Sequence, residues 1–186
     1  VVSAHNSVLK RPEFGRAMKT GHGPAGGTGS LFAQRIERGD IPELSLVVEL
    51  EAYWNSLPCS DGLPSRRDID PVEIGGALLP WIFLLDVIRE DGRLDYLYRL
   101  AGTSNVELVG RDPTGRRSSE IFADDEHAFV IETFDQTVNE RVPTYWYVEV
   151  PQDHYDVVRV YRGLFPLSDD GITINKLICA AVPLNI

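Results

Sequence analysis

Residues 81–101 read WIFLLDVIREDGRLDYLYRLA, and this stretch decides the fold. The run 81–88 is almost continuously apolar, as is typical of a strand that is covered on both faces. Asp91-Gly92 is a hairpin signal, and residues 94–101 then alternate between the two sides of a strand. The stretch therefore predicts two antiparallel strands joined by a tight turn.

Two runs rich in proline and glycine flank this hairpin. LPSRRDIDP (63–71) precedes it, and GRDPTG (110–115) follows it. Asp70-Pro71 with Glu73 is a helix-start pattern, because Asp70 can accept from free backbone N–H groups and Pro71 suits the first helical position. Short helices are therefore expected on either side of the hairpin.

The remaining segments complete an α+β pattern. We expect further strands at 144–150, 157–167 and 172–182, since turn residues separate three apolar runs. A helix is expected at 42–57, a long helix at 124–140, and short helices at 103–108 and 118–122. The predicted architecture is a five-stranded antiparallel sheet with helices on one face and an additional N-terminal helix.

The charge is unevenly distributed along the 186 residues. Residues 1–38 hold six Lys and Arg against two Glu, a net charge of +4, which leaves −14 for the remainder, the difference between −10 and +4. We interpret 1–41 as a basic, glycine-rich N-terminal arm and 42–186 as one domain that includes its N-terminal helix. A net charge of −10 argues against nucleic acid as a partner.

Cysteine, histidine and hydropathy patterns favour an ordinary cytoplasmic protein. The two cysteines, Cys59 and Cys179, predict no disulfide framework, and the four histidines show no spacing for a metal site. The apolar run 77–85 is shorter than the roughly 20 residues of a membrane span. No signal peptide is evident, so we expect neither a membrane nor secretion.

The runs LPSRRDIDP, LLPWIFLLDV, YRLAGT and GRDPTG resemble a bacterial family of small, stand-alone PAS-like proteins. The order of helices and strands is also that of a PAS domain. The resemblance covers residues 46–184 and implies a PAS-like fold with a small pocket between sheet and helices. It further implies a sensory or interaction role, with no specific ligand.

The resemblance also allows known PAS cofactors to be considered residue by residue. A covalent flavin adduct needs a cysteine in the region 110–121, and none is present there. A haem sensor carries an axial histidine on the long helix, where His127 lies. His127 sits beside three acidic residues, so a solvated surface histidine is the favoured interpretation.

The PAS-like arrangement predicts which side chains line the pocket. The candidates come from the central strands and the helices: Phe83, Leu85, Tyr98, Leu100, Val106, Phe122, Phe129, Trp146 and Tyr161. Arg99 and Arg159 could each reach an anion in this pocket or lie on the solvent face. Arg159 and Arg162 fall on opposite faces of their strand, and either of them could be the one that lies outside. The polar cluster Arg66, Arg67, Asp68 and Asp70 could form a site, although a structural role in capping is favoured.

One face of the helix 42–57 carries Val47, Leu50, Trp54 and Leu57. These four residues are predicted to form a homodimer interface. The alternative is that the helix covers its own sheet and needs no partner.

Three functions remain open on the sequence. The first is a non-catalytic sensory or interaction module that binds a small molecule or a protein, signals through a dimer and acts on a separate output protein. The second is a dimerising protein without a ligand. The third is a small-pocket enzyme in which Asp86 acts as the base.

Overall fold

The computed structural model describes residues 18–19, 32–59, 62–122, 124–152, 157–184 and 186, with the backbone alone described at 18–19 and 124–127. Five α-helices lie in the described part: α1 (Leu46–Ser56), α2 (Pro71–Ile74), α3 (Thr103–Val109), α4 (Ser118–Ile121) and α5 (Asp124–Glu140). The strands are β1 (Met18–Lys19), β2 (Phe32–Ile36), β3 (Ile82–Glu90), β4 (Arg93–Ala101), β5 (Thr144–Pro151), β6 (Val157–Leu167) and β7 (Lys176–Pro183).

All strand pairs are antiparallel, and the sheet order is β1-β2-β5-β6-β7-β3-β4. The predicted α+β class and the antiparallel sheet are confirmed. The predicted strand number of five is wrong, because the sheet has seven strands in the described residues. The two unpredicted strands, β1 and β2, both come from the segment interpreted as an arm. The domain boundary at 41/42 stays a prediction, but residues 32–36 are part of the sheet.

The β3–β4 turn forms as expected. Asp91 and Gly92 have φ values of 50° and 74°, which are the positive values that a tight hairpin turn requires. Asp70 also caps α2 as predicted, since its Oδ1 accepts from the Val72 N–H at 2.8 Å. Local sequence signals therefore set these two boundaries.

Two other boundaries differ from the prediction for local reasons. The helix α1 begins at Leu46 rather than near Pro42, because Ser45 accepts the Val47 N–H and caps it. The last strand begins at Lys176 rather than 172, because the Asp170 carboxylate accepts the N–H groups of Ile172 and Thr173. These contacts hold residues 170–173 in a turn.

Each face of the sheet carries its own apolar cluster. Helices α4 and α5 pack on one face, which includes Tyr96, Phe134 and Leu177. Helix α1 packs on the other face, which includes Val47, Leu50 and several side chains from β6 and β7. Alternation along the central strands sends successive side chains to opposite clusters.

Candidate functional site

A cavity of about 100 Å³ lies between α3, α4, α5 and the sheet face that these helices cover. Most of its lining is apolar and comes from the strands and these helices: Phe83, Tyr98, Ala101, Leu108, Val109, Ile121, Phe122, Val130, Phe134, Val150 and Ala181. The polar side chains in its lining are Asn105, Arg111 and Arg162. An apolar pocket with a few polar groups is the usual form of a small-molecule site.

The wall formed by α3 depends on a close backbone contact. Gly102 precedes α3, and its N–H donates to the Ile82 carbonyl at 2.7 Å. A Cβ atom at Gly102 would lie 2.3 Å from the carbonyl oxygen of Pro80, which is backbone and has little room to move. The glycine therefore lets α3 begin directly against the segment that leads into β3.

Arg162 is the most unusual residue of this cavity. It lies on β6, the middle strand of the sheet, between Val160 and Leu164, which are both fully buried and belong to the same cluster. Its register partners are Trp146 on β5 and Ala181 on β7. Arg162 therefore introduces a guanidinium group into a row of otherwise apolar side chains.

Arg111 enters the same cavity from the loop after α3. Gly110 ends α3 in the left-handed conformation, with φ 74°, and turns the chain back toward the cavity. The Arg111 guanidinium carbon lies 5.1 Å from the centre of the Phe122 ring, a cation–π contact. The cavity is thus bordered by two cationic side chains.

The titratable groups that interact electrostatically with Arg162 are Tyr98 and Cys179, and both are neutral. Burial raises the pKa of the Tyr98 phenol well above its ordinary value, and burial also raises the pKa of the Cys179 thiol. Both groups therefore stay protonated at neutral pH, and neither supplies a negative charge. Burial lowers the pKa of the Arg162 guanidinium, although an arginine remains charged in a protein at neutral pH.

The structure brings three of the nine predicted pocket residues, Phe83, Tyr98 and Phe122, to this cavity. Phe129 and Trp146 instead line a second cavity of about 190 Å³ beside β2 and α5. Leu85 is fully buried in the same apolar cluster as the cavity wall, and Val106 is partly buried in α3. Neither Leu85 nor Val106 is among the residues that line the described cavities.

Leu100 is displaced from the predicted position by a β-bulge. Leu84 pairs with Leu100 and Leu85 pairs with Tyr98, so that Arg99 is an extra residue in β4. An extra residue reverses the alternation that follows it. As a result Ala101 lines the cavity, whereas Leu100 is 48% exposed.

Tyr161 is also corrected by its strand position. It neighbours Arg162 on β6, so the two side chains point to opposite faces. Tyr161 packs against the cluster under α1. The face of β6 that borders the cavity therefore carries Arg162, and the predicted Tyr161 lies on the opposite face.

The arginines suggested from the sequence as anion ligands are paired elsewhere. Arg159 is bonded to Glu149 at 3.4 Å, and its side chain is 58% exposed. Arg99 is paired with Asp86. The sequence left open which of Arg159 and Arg162, on opposite faces of one strand, lies outside, and the structure places Arg162 at the cavity.

Asp86, the candidate base of the enzyme hypothesis, is held in an ion-pair cluster. It accepts from Arg99, and the Lys176 Nζ lies 2.5 Å from its Oδ1. Burial raises the pKa of Asp86, but the hydrogen bonds from Lys176 and Arg99 outweigh this effect and leave the pKa below its ordinary value. Asp86 does not line the cavity, and a carboxylate with a lowered pKa is a weak base.

Contacts around the polar run 63–71 favour its structural interpretation. Arg66 donates to the Ile69 carbonyl at 3.3 Å, and Asp68 accepts from the Ser65 N–H in a capping box. The Tyr53 hydroxyl accepts the Asp70 N–H at 2.8 Å, which ties this run to α1. Arg67 borders an open groove together with Ser65 and Asp68.

The four residues predicted for a dimer interface lie along α1 and its end. Val47 and Leu50 are fully buried against the sheet of their own chain, and Leu57 is 7% exposed. Trp54 is partly buried and donates its Nε1–H to the Pro166 carbonyl at 3.0 Å. This burial favours the alternative in which α1 covers its own sheet, while the dimer itself stays a prediction.

Some predictions fall outside the described residues. The side chain of His127, the candidate haem ligand, is one of them, and the glycine-rich segment 21–29 is another. Within the described ranges, no helix combines the length and the apolar character needed to cross a membrane. The same part of the chain contains no group of three or more His, Cys, Asp or Glu side chains that could hold a metal ion.

Comparison with known families gives one result. A family model described as a PAS domain matches residues 44–179, which is most of the chain. Comparison with curated proteins gave no match, and neither did comparison with solved structures. The matched segment runs from just before α1 into β7 and contains the whole cavity wall except Ala181.

Proposed function

Because this chain belongs to the PAS domain family, we propose that it is a sensory or interaction module that binds a small molecule in the cavity beneath α3. The observation that carries the proposal is the cavity itself. It is about 100 Å³, predominantly apolar, and bordered by two arginines. It lies where a bound molecule would touch both the sheet and the helices, so that occupancy could alter their packing.

The proposed signal is a change in the position of α3 and of the loop that follows it. Leu108, Val109 and Arg111 all line the cavity and belong to one continuous segment. A ligand that contacts this segment and the sheet together would favour one arrangement of the two. The output protein that reads such a change is a separate partner in this proposal.

A homodimer is part of the same proposal. Because Val47 and Leu50 are already buried within the chain, a second copy would contact the parts of this region that remain accessible. These include Leu44, which is 96% exposed, and the partly buried Trp54. The dimer would then use the rim of α1 rather than its buried face.

Native mass spectrometry of the purified full chain tests the proposal. We expect a dimer mass, plus a small-molecule mass that is lost on denaturation. The variant Ala101→Leu should reduce ligand retention, because Ala101 lines the cavity. Leu100→Ala is the matched control, since Leu100 is the exposed neighbour on the same strand.

A different result would support the dimerising alternative. If the wild type retains nothing and a small-molecule library leaves its melting temperature unchanged, the ligand-binding proposal fails. If the protein is a monomer at every concentration measured, the homodimer part of the proposal fails.

A further inference from the structure

Two arginines that border the cavity, Arg162 and Arg111, are partly buried and have no carboxylate partner among the described residues. The Nε atoms of Arg111 and Arg162 are both buried and lack a hydrogen-bond partner. Within the described ranges, neither guanidinium forms a salt bridge or a side-chain hydrogen bond. Other arginines of the sheet, such as Arg35, Arg99 and Arg159, are each paired with a carboxylate.

An unpaired buried charge is unfavourable for folding. Transfer of a charged group from water to an apolar interior is costly unless the group is paired and hydrogen-bonded. At the position of Arg162, between the fully buried Val160 and Leu164, an aliphatic side chain would serve the core better. The arginine is therefore more readily explained by something that binds it than by packing.

The cavity limits what that binding partner is. Its volume is about 100 Å³, below the roughly 300–1,000 Å³ of sites for drug-sized ligands and closer to the ~150 Å³ of a cavity that accepts benzene. Apart from the two arginines, Asn105 and Tyr98, the residues of its walls are apolar. Such walls favour a compact apolar body that carries one charged group.

We propose that the cavity binds a small organic carboxylate with an apolar body no larger than about one aromatic ring, and that Arg162 and Arg111 are the residues that bind its charge. This inference rests on the proposed function, since it names the ligand class of the same cavity. Tyr98, which also lines the cavity, remains protonated and so adds no negative charge that would compete for the arginines. The apolar walls then enclose the rest of the ligand.

The test compares charged probes with neutral ones of the same shape. Benzoate and hexanoate are titrated calorimetrically into the full chain, alongside benzamide and hexanamide. We expect at least one carboxylate to bind at least about tenfold more tightly than its amide, because a charge-assisted hydrogen bond is lost in the amide. This comparison in the wild type requires no variant.

Two variants on one strand then locate the charge that is responsible. Arg162→Met should remove the preference for the carboxylate over the amide. Arg159→Met is the matched control, because Arg159 lies on the same strand but is exposed and paired with Glu149. Without ligand, the melting temperature of Arg162→Met should equal or exceed that of the wild type, since a partly buried charge without a described partner has been removed.

The outcomes separate this inference from the proposal on which it rests. If carboxylates and amides bind equally, or if Arg162→Met binds the carboxylate like the wild type, the anion inference is overturned while ligand binding stands. If no probe binds and the purified protein retains no small molecule, both are overturned. A lower melting temperature of ligand-free Arg162→Met, with the preference for the carboxylate retained, would assign Arg162 a structural role.

Discussion

Gly102 shows at the scale of one residue how two distant sequence runs come together. The glycine of YRLAGT lies against the backbone of Pro80, in LLPW. Its own φ of −64° is available to any residue, so the requirement for glycine here is steric and not conformational. Two of the four runs that carry the family resemblance are thus in direct contact.

Gly102→Ala should destabilise the protein by about 1–3 kcal/mol, the usual cost of inserting an extra methyl group into a packed site. The added Cβ would lie 2.3 Å from the Pro80 carbonyl oxygen, so that α3 or residues 79–81 must shift. Chemical denaturation of the variant and the wild type measures the effect.

Gly76→Ala is the control, because no atom lies within 4 Å of a Cβ at Gly76 and its φ is not in the left-handed region. Equal stability of Gly102→Ala and the wild type would contradict a close contact between residue 102 and the Pro80 backbone.

The limits of sequence prediction at this scale follow from single-residue shifts. The composition of the cavity wall was predictable in part, since Phe83, Tyr98 and Phe122 follow from strand alternation and helix order. Leu100 and Ala101 exchanged roles because the bulge at Arg99 is a property of pairing with β3, which no local pattern reveals. The position of Arg162 stayed open at the sequence level, because strand alternation puts Arg159 and Arg162 on opposite faces without showing which face is covered.

At the scale of elements, the sheet extends beyond the predicted strands through β2. Phe32 and Ile36 are both 6% exposed, and all five residues of β2 pair with β5. Arg35 also joins β2 to α5, with its Nη2 lying 2.6 Å from Glu140 Oε2. The strand β2 was not predicted from the sequence, because it is short, follows a glycine-rich segment and pairs with a strand that lies far away in the sequence.

A fragment of residues 42–186, the predicted domain, should be less stable than a fragment of residues 18–186. Loss of buried Phe32 and Ile36 alone corresponds to about 3–6 kcal/mol, at roughly 1.5–3 kcal/mol for each side chain. The shorter fragment also leaves one edge of β5 unpaired, and an unpaired edge promotes self-association. Thermal melts and light scattering of both fragments measure these effects.

Equal melting temperatures for the two fragments would mean that β2 contributes nothing to stability, and the boundary at 41/42 would then describe an independent domain.

The other sheet edge is covered at Tyr98 by residues of the same chain. The Tyr98 N–H donates to Arg116 at 3.0 Å, and the Gly115 N–H donates to Tyr98 at 2.7 Å. Arg117 is paired with Glu90 at the end of β3. Residues 115–117, at the end of the GRDPTG run and just after it, therefore hinder other chains from pairing with the middle of β4.

At the scale of the whole molecule, buried tyrosines link stability to alkaline pH. Burial, together with hydrogen bonds to carboxylates, raises the pKa of Tyr96 and of Tyr145 well above the ordinary value of 10. The same causes raise the pKa of Tyr147 to about 12. The folded state therefore retains protons on these groups that the unfolded state loses.

The sign of the effect follows from this difference. The contribution of the tyrosines is fully present below pH 10, the unfolded value, and is lost as the pH rises toward their folded values. We expect the free energy of unfolding to fall steadily above pH 10, by at most about 1.4 kcal/mol per pH unit for each such tyrosine and by less for the more solvated Tyr147. Urea denaturation across this range, with tyrosinate absorbance recorded in parallel, measures it.

Tyr96→Phe should make the decline less steep, because it removes one of these groups. A stability that is constant above pH 10 in the wild type would contradict the burial of the phenols.

The strand order also governs the sequence of events by which the chain can fold. The β3–β4 hairpin is local, but β3 completes its other edge only with β7, where Ile82 pairs with Ala180. All of α3, α4, α5, β5 and β6 lie between these two strands in the sequence. During synthesis one edge of the apolar strand β3 therefore stays unpaired until β7 has left the ribosome. Pairing between strands so far apart in the sequence slows folding. In a cell, that interval is when the nascent chain most needs a chaperone.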